Sequence, residues 1–340
     1  MGVNISKLVP STPLRLNDLA GKAVAIDAFN TLYQFLTTIR QPDGTPLKDR
    51  NGRVTSHLSG LLNRNAALIE FGLKPVYVFD GRPPELKEKT LKARREAREA
   101  AQREWEDAIE AGDMKRALTK ASQSTRLDDE MIDEARTLLD ALAIPWVDAP
   151  GEGEAQMAFM TMKGDVWAGA SQDFDSLLFG TPTLIRNLTL SRKRRVAASK
   201  TADVSPELIE LEKVLASLHL TREQLVDMGI LVGTDFNEGV HGIGPKRALK
   251  MINELGTLER ISAEGRIVVP HGYEEVRRIF LEPEVTEDYS LSWPTRNEED
   301  VRRLLCDNHG FSVERVDSVL TRLRAASTLH SQSSLDRWRQ

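Results

Sequence analysis

Four short apolar runs in the first half of this 340-residue chain each lead into one or two acids. Ala23-Val24-Ala25-Ile26 ends at Asp27, and Pro75-Val76-Tyr77-Val78-Phe79 ends at Asp80. Ile144-Pro145-Trp146-Val147 precedes the turn Gly151-Glu152-Gly153-Glu154, and the run from Asp165 to Ala170 precedes Asp173 and Asp175. Runs this short, apolar without alternation, read as strands buried on both faces. Between them Leu127, Met131, Ala135, Leu138 and Leu142 recur at helical spacing behind Thr125, which the pattern makes a helix cap. Strands alternating with helices predict an α/β fold around a mostly parallel sheet, in which ligands collect at the C-terminal strand ends. The acids sit at those ends.

Asp27, Asp80, Glu152, Glu154, Asp173, Asp175 and Asp235 each follow an apolar segment, where burial and mutual repulsion both penalise charge. A cation must offset it. One cysteine, Cys306, and six scattered histidines exclude a Cys-based or clustered-His zinc centre. Oxygen ligands alone suit Mg²⁺, with Mn²⁺ able to substitute. So many of them suit two ions about 4 Å apart, which can acidify a water and stabilise the leaving oxygen of a phosphodiester. Taken singly, each acid reads equally well as a helix cap or turn residue.

The net charge of -5, from 46 Lys+Arg against 51 Asp+Glu, gives no hint of a nucleic-acid partner, but the distribution does. From Arg82 to Arg103 the chain carries Arg82, Lys87, Lys89, Lys92, Arg94, Arg95, Arg98 and Arg103 and almost no large apolar residue. Such a helix has little to bury. Lys87 and Arg94 are predicted to share a helix face about 10 Å apart along the axis, where they can meet phosphate oxygens. A solvated charged helix is the competing reading. Arg192-Lys193-Arg194-Arg195 with Lys200 forms a second basic cluster, equally readable as an exposed turn. Tyr33 is placed by helical spacing near Asp27, where its ring could stack on a base or pack into the core.

Gly242-Ile243-Gly244-Pro245-Lys246-Arg247-Ala248 is more specific. Two glycines permit a tight hairpin with free N–H groups, Pro245 opens a helix, and Lys246 and Arg247 add charge. That is the grammar of a helix-hairpin-helix that grips a duplex backbone without reading bases, although a plain Gly-rich loop also fits. Nearby, Ser205-Pro206-Glu207 predicts a helix start for Leu208, Leu211, Leu215 and Leu218, and Thr221 with Gln224 predicts a capping box for a helix running to Asp235. Val313, Val316, Leu320 and Leu323 mark a C-terminal helix, and 327–340 read as a polar, mobile tail. No run approaches the ~18 apolar residues of a membrane span, so no membrane partner is expected.

Together Ala25-Ile26-Asp27-Ala28, Tyr33-Gln34-Phe35-Leu36, the stretch from Pro75 to Gly81, Asp148-Ala149-Pro150 with Glu152 and Glu154, and the 242–248 motif resemble the flap endonucleases of the 5′ nuclease (XPG/RAD2-like) superfamily, in their archaeal or eukaryotic form. The resemblance spans Met1 to about Val285. It implies a PIN-like nuclease fold with a helical arch, and two-metal cleavage near the base of 5′ flaps with 5′-3′ exonuclease activity. Okazaki fragment maturation and long-patch base excision repair are the implied settings. The segments it implies are an N-terminal nuclease region, 1–98; the rest of the arch, 99–115; an internal nuclease region with the helix-hairpin-helix, 116–258; a C-terminal helical region, 259–330; and a tail, 331–340.

By motif position the seven carboxylates look like metal ligands, Lys87 and Arg94 like the catalytic basic pair of the arch, and Tyr33 like a base-stacking residue. Gly2, Arg40, Arg64, Glu152, Gly233 and Asp235 look like DNA contacts, and the hairpin of Gly242, Gly244, Lys246 and Arg247 is similar to the family's K⁺-associated duplex grip. Gln332, Leu335 and Trp338 match the Q-x-x-L-x-x-aromatic box that binds the sliding clamp (PCNA), with Arg339 where a second aromatic is usual. A monomer is expected, and a cytoplasmic location, since no long basic extension follows the box. Two other classes stay open: a haloacid-dehalogenase-type phosphatase built on Asp173 and Asp175, and a non-catalytic binder of DNA junctions.

Overall fold

Asp27 ends one strand and Asp80 follows directly on the parallel strand beside it, and the sheet grows outward from that pair. The computed structural model describes residues 2–41, 43–190, 193–197, 200–265 and 267–337. Thr12–Pro13 (β1), Ala23–Asp27 (β2), Lys74–Phe79 (β3), Trp146–Asp148 (β4), Ala168–Ala170 (β5) and Thr183–Arg186 (β6) share one sheet with Glu207–Glu210 (β9). Lys193–Ala197 (β7) and Lys200–Asp203 (β8) pair as a separate antiparallel ribbon. The order is β1-β9-β6-β5-β2-β3-β4, parallel from β6 to β4, with β9 and β1 antiparallel at one edge. The expected α/β fold is present.

The helices are Ala28–Thr38 (α1), Ser56–Glu70 (α2), Glu88–Glu110 (α3), Met114–Gln123 (α4), Asp129–Ala141 (α5), Gly153–Lys163 (α6), Asp175–Leu178 (α7) and Leu211–Leu218 (α8). Arg222–Val232 (α9), Pro245–Leu255 (α10), Leu258–Ala263 (α11), Tyr273–Leu281 (α12), Glu298–Arg302 (α13) and Val313–Arg337 (α14) follow. Strand β3 explains why its run lacks alternation. Tyr77 and Phe79 pack with α1, α2, α5 and α14 on one face, while Val76 and Val78 pack against Met157 and Met160 of α6 on the other. A third cluster joins α6 and α7 to α9, α10 and α12, carrying the helix-hairpin-helix on the nuclease body.

Local signals were overruled in several places. Glu207–Glu210 is a strand, because pairing with β6 satisfies its backbone; the helix expected from Ser205 starts only at Leu211. Helix α5 is capped by Asp128, whose side chain accepts from the Met131 N–H, while Thr125 accepts from Arg40 instead. The Thr221–Gln224 capping box is present, but α9 stops at Val232 because Gly233 takes φ 104, leaving Asp235 beyond the helix. Lys87 belongs to a 3₁₀ turn, Glu85–Lys87, ahead of α3. Helix α14 runs on to Arg337, so 327–337 is helical and not a loose tail. Among the described residues, no helix is long and apolar enough to cross a membrane.

Candidate active site

All seven acids line one cavity of about 370 Å³, together with Tyr33, Lys87, Arg94 and Arg98. Topology does this: β2 and β3 deliver Asp27 and Asp80, the turn after β4 delivers Glu152 and Glu154 at the start of α6, and the turn after β5 delivers Asp173 and Asp175. Asp235 comes from across the cleft, behind α9. Two glycines allow the close approach. A Cβ at Gly81 would lie 2.0 Å from the Ala149 carbonyl oxygen, and one at Gly153 would lie 2.6 Å from Asp80 Oδ1.

Six of the seven acids accept hydrogen bonds from neighbouring groups. Asp27 caps α1 by accepting from the Asn30 N–H at 2.9 Å, and Asp80 accepts from the Gly153 N–H at 2.8 Å. Glu154 accepts from the hydroxyls of Ser171 and Ser176, both at 2.8 Å, and Asp175 accepts from the Val3 N–H at 2.7 Å. Lys87 Nζ donates to Glu152 Oε2 at 2.5 Å, while Arg94 Nη2 reaches both oxygens of Asp235 at 2.6 and 2.7 Å. Thr90 Oγ1 donates to the Asp235 carbonyl at 2.8 Å, which fastens the foot of α3 to the same turn. No three His, Cys, Asp or Glu side chains among the described residues form a ready-made ion cage.

The electrostatics show how incomplete that compensation is. Burial, reinforced by Asp80 and Asp173, pushes Asp27 up to about 8, and burial lifts Asp175 to about 7 against the Val3 hydrogen bond. Burial also raises Asp80, Glu152 and Glu154. Asp235 goes the other way: burial acts to raise it, but Arg94 holds it below the ordinary carboxylate range. Lys87 is buried too, yet Glu152, Asp80 and Asp235 keep its ammonium above its usual value. A set of hard oxygens that cannot all ionise together is chemically matched to divalent cations.

The remaining expected contacts divide. Tyr33 is half-buried on the cavity wall with the Arg98 guanidinium 5.3 Å from its ring centre. A Cβ on Gly2 would press within 2.8 Å of Asp175, so the N-terminal segment lies directly on the acids. Gly242 (φ 76) and Gly244 are exposed ahead of α10, Lys246 and Arg247 are exposed on its first turn, and Ile243 and Ala248 are buried. Arg40 and Arg64, by contrast, donate to internal oxygens: Arg40 to Gly44 and Thr125, Arg64 to the carbonyls of Leu188 and Leu190. Gln332 and Leu335 fall on α14; Arg192, Trp338 and Arg339 lie outside the described residues. His57 is buried against Glu134 at 3.1 Å. Ser171 and Ser176 were missed by the sequence reading, although Ser171 lies two residues before Asp173, where a hydroxyl could be sought.

Comparison with known proteins agrees with this geometry. The XPG N-terminal domain family matches residues 4–101 and the XPG I-region family matches residues 143–235. Flap endonuclease 1 of Pyrococcus abyssi is 49% identical over 341 residues, covering 99% of this chain and 98% of that protein. The Methanosarcina acetivorans protein of the same name is 45% identical, covering 99% and 100%. The solved structure of flap endonuclease-1 from Methanococcus jannaschii superposes with a TM-score of 0.76 at 41% identity, covering 96% of this chain and 98% of that one. The catalytic core of Rad2 in complex with DNA substrate superposes at 0.70 with 25% identity, covering 92% and 96%. A chain so matched along nearly its whole length, with both regions in place around one acid-lined cavity, belongs to the XPG-type flap endonuclease family of 5′ nucleases.

Proposed function

We infer that the protein is a structure-specific flap endonuclease, a nuclease that hydrolyses DNA phosphodiesters near the base of 5′ flaps. The observation that carries this reading is the single cavity in which seven carboxylates meet Lys87 and Arg94 beneath the arch of α3 and α4. The donor set fits divalent ions, and Asp27, Asp80, Glu152, Glu154, Asp173, Asp175 and Asp235 would hold two Mg²⁺, or Mn²⁺ in its place. When bound, such ions supply an acidified water and stabilisation of charge on phosphate and leaving oxygens. Lys87 and Arg94 then face the scissile phosphate as cations, and Tyr33 offers a ring for the neighbouring base.

The hairpin supports binding of the adjoining duplex. Exposed N–H groups at Gly242 and Gly244, with Lys246 and Arg247, suit phosphates of any sequence, and a K⁺ ion at the hairpin carbonyls fits the same role. Gly2, Gly233, Arg40 and Arg64 are proposed as further DNA contacts, the two arginines also bonding the loops around them. The tail box of Gln332, Leu335 and Trp338 is proposed to recruit the sliding clamp, placing the monomeric enzyme in Okazaki fragment maturation and long-patch base excision repair in the cytoplasm, with 5′-3′ exonuclease activity alongside. The test is to incubate the protein with an end-labelled double-flap DNA and Mg²⁺, then size the product. One cut at the flap base, absent with Asp173→Ala, is expected. Cleavage indifferent to the flap, or unchanged in Asp173→Ala, would overturn the reading.

A further inference from the structure

Helix α7 is a single turn, Asp175–Leu178; the carbonyls of Asp175, Ser176 and Leu177 accept from the N–H groups of Phe179, Thr181 and Gly180, but those of Leu178 and Phe179, at its end, look elsewhere for partners. One side chain supplies them. Arg222 Nε donates to the Leu178 carbonyl at 3.3 Å, and its Nη2 donates to the carbonyls of Phe179 and Phe280, both at 2.8 Å. Arg222 is the first residue of α9 and lies within the Thr221–Gln224 capping box. Helix α7 begins at Asp175, whereas α9 leads to Gly233 and Asp235. Arg222 therefore ties together the two elements that bring their acids to the cavity from opposite sides.

The apolar contacts run through the same residues. The ring of Phe236, next to Asp235, packs at 5.3 Å on Phe280, and Phe280 packs at 4.8 Å on Phe179. Phe179 and Phe236 both line the cavity, so the block that Arg222 holds by its carbonyls forms part of the cavity wall. Gly180 adjoins it at φ 91, and a Cβ there would lie 2.7 Å from Arg222 Cζ. The backbone is shaped around the guanidinium.

We propose that Arg222 is a positioning residue for the active site: by holding the carbonyls of Leu178, Phe179 and Phe280 together, it sets the separation of Asp173 and Asp175 from Asp235. The proposal rests on the reading of those three acids as ligands of divalent ions. A planar guanidinium can serve carbonyls in several directions at once, whereas a lysine ammonium is a point charge at the end of a flexible stem. Arg277 provides a structural contrast. It joins α12 to Asp227 of α9 at 2.8 Å and to Glu259 of α11 at 2.7 Å, with no described bond to α7.

The experiment compares full-length wild type, Arg222→Lys, Arg222→Met and Arg277→Lys by electron paramagnetic resonance titration of Mn²⁺ without DNA, well below each variant's melting temperature. Single-turnover cleavage and DNA affinity in Ca²⁺ are measured alongside. Arg222→Lys should weaken Mn²⁺ binding about tenfold, the lower end for groups that orient metal ligands, and slow cleavage by a similar factor with DNA affinity within about twofold. Arg277→Lys should lower the melting temperature and leave Mn²⁺ affinity unchanged. If Arg222→Met does not fold, Arg222→Lys alone decides. Wild-type Mn²⁺ affinity in the Arg222 variants, or an equal loss in Arg277→Lys, overturns the proposal alone. A wild-type protein that takes up no Mn²⁺ overturns the ligand reading, and the proposal with it.

Discussion

Lys87 and Arg94 stand against Glu152 and Asp235 where divalent ions would otherwise neutralise the same oxygens. Each cation has two uses: a counterion for the acids, and a positive charge facing phosphate. Removing one should separate them. Lys87→Ala or Arg94→Ala should slow single-turnover cleavage by roughly 100-fold, about 2.7 kcal/mol, because the lost charge acts on charge that grows in the transition state. DNA affinity should change far less. Mn²⁺ affinity measured without DNA should rise, since no side-chain cation has to be displaced. Normal single-turnover rates with weakened binding would show that the two are ordinary phosphate clamps. The residue types and spacing were legible in the sequence, but the contacts with Glu152 and Asp235 were not, because the partners are 65 and 141 positions away.

At the scale of elements, the helix-hairpin-helix was the most legible part of the chain, since its turn chemistry is local. The structure nevertheless separates its two glycines. Gly242 adopts φ 76, which a β-branched residue resists, whereas Gly244 is extended at φ -91 with open space around its Cβ position. Gly242→Val should therefore weaken binding to all duplexes alike and flatten the salt dependence, while Gly244→Ala should do much less. Filter binding with two unrelated duplexes at several salt concentrations checks this, and a loss confined to one sequence would contradict backbone recognition. The arch shows the opposite case. Its charge pattern marked a helix with little to bury, and the bond from Thr90 to Asp235 that fastens its foot could be read only from the folded chain.

Across the whole molecule, the crowded acids couple metal binding to stability. Ordinary aspartates titrate near 3.8, but Asp27 is raised to about 8 and Asp175 to about 7 in the fold. Their contribution is complete below about pH 4 and is lost as pH rises through 7 to 8, because the folded state must then ionise groups that it disfavours. The melting temperature of chelator-treated protein should fall between pH 5 and about 8.5, and Mg²⁺ should restore it most at the upper end. A melting temperature indifferent to both pH and Mg²⁺ would count against the crowded cluster. At the other end of the chain, deleting 331–340 should abolish stimulation by the cognate sliding clamp and leave clamp-free cleavage intact. Calorimetry with the clamp decides: unchanged binding after the deletion would falsify the box.

What the sequence determined by itself was everything carried by short-range pattern: the buried strands β2 and β3 with acids at their tips, the capping box of α9, and the Gly-Pro entry to α10. These rest on interactions within a few residues, so their signals survive in the linear order. Only the tertiary structure decided that Glu207–Glu210 would pair as a strand, that α9 would release Asp235 beyond its end, and that Arg40 and Arg64 would spend their guanidiniums on internal carbonyls and a hydroxyl. The same holds for Arg222. Its three carbonyl partners lie 43, 44 and 58 positions away, and no local pattern records which backbone groups a fold leaves unpaired.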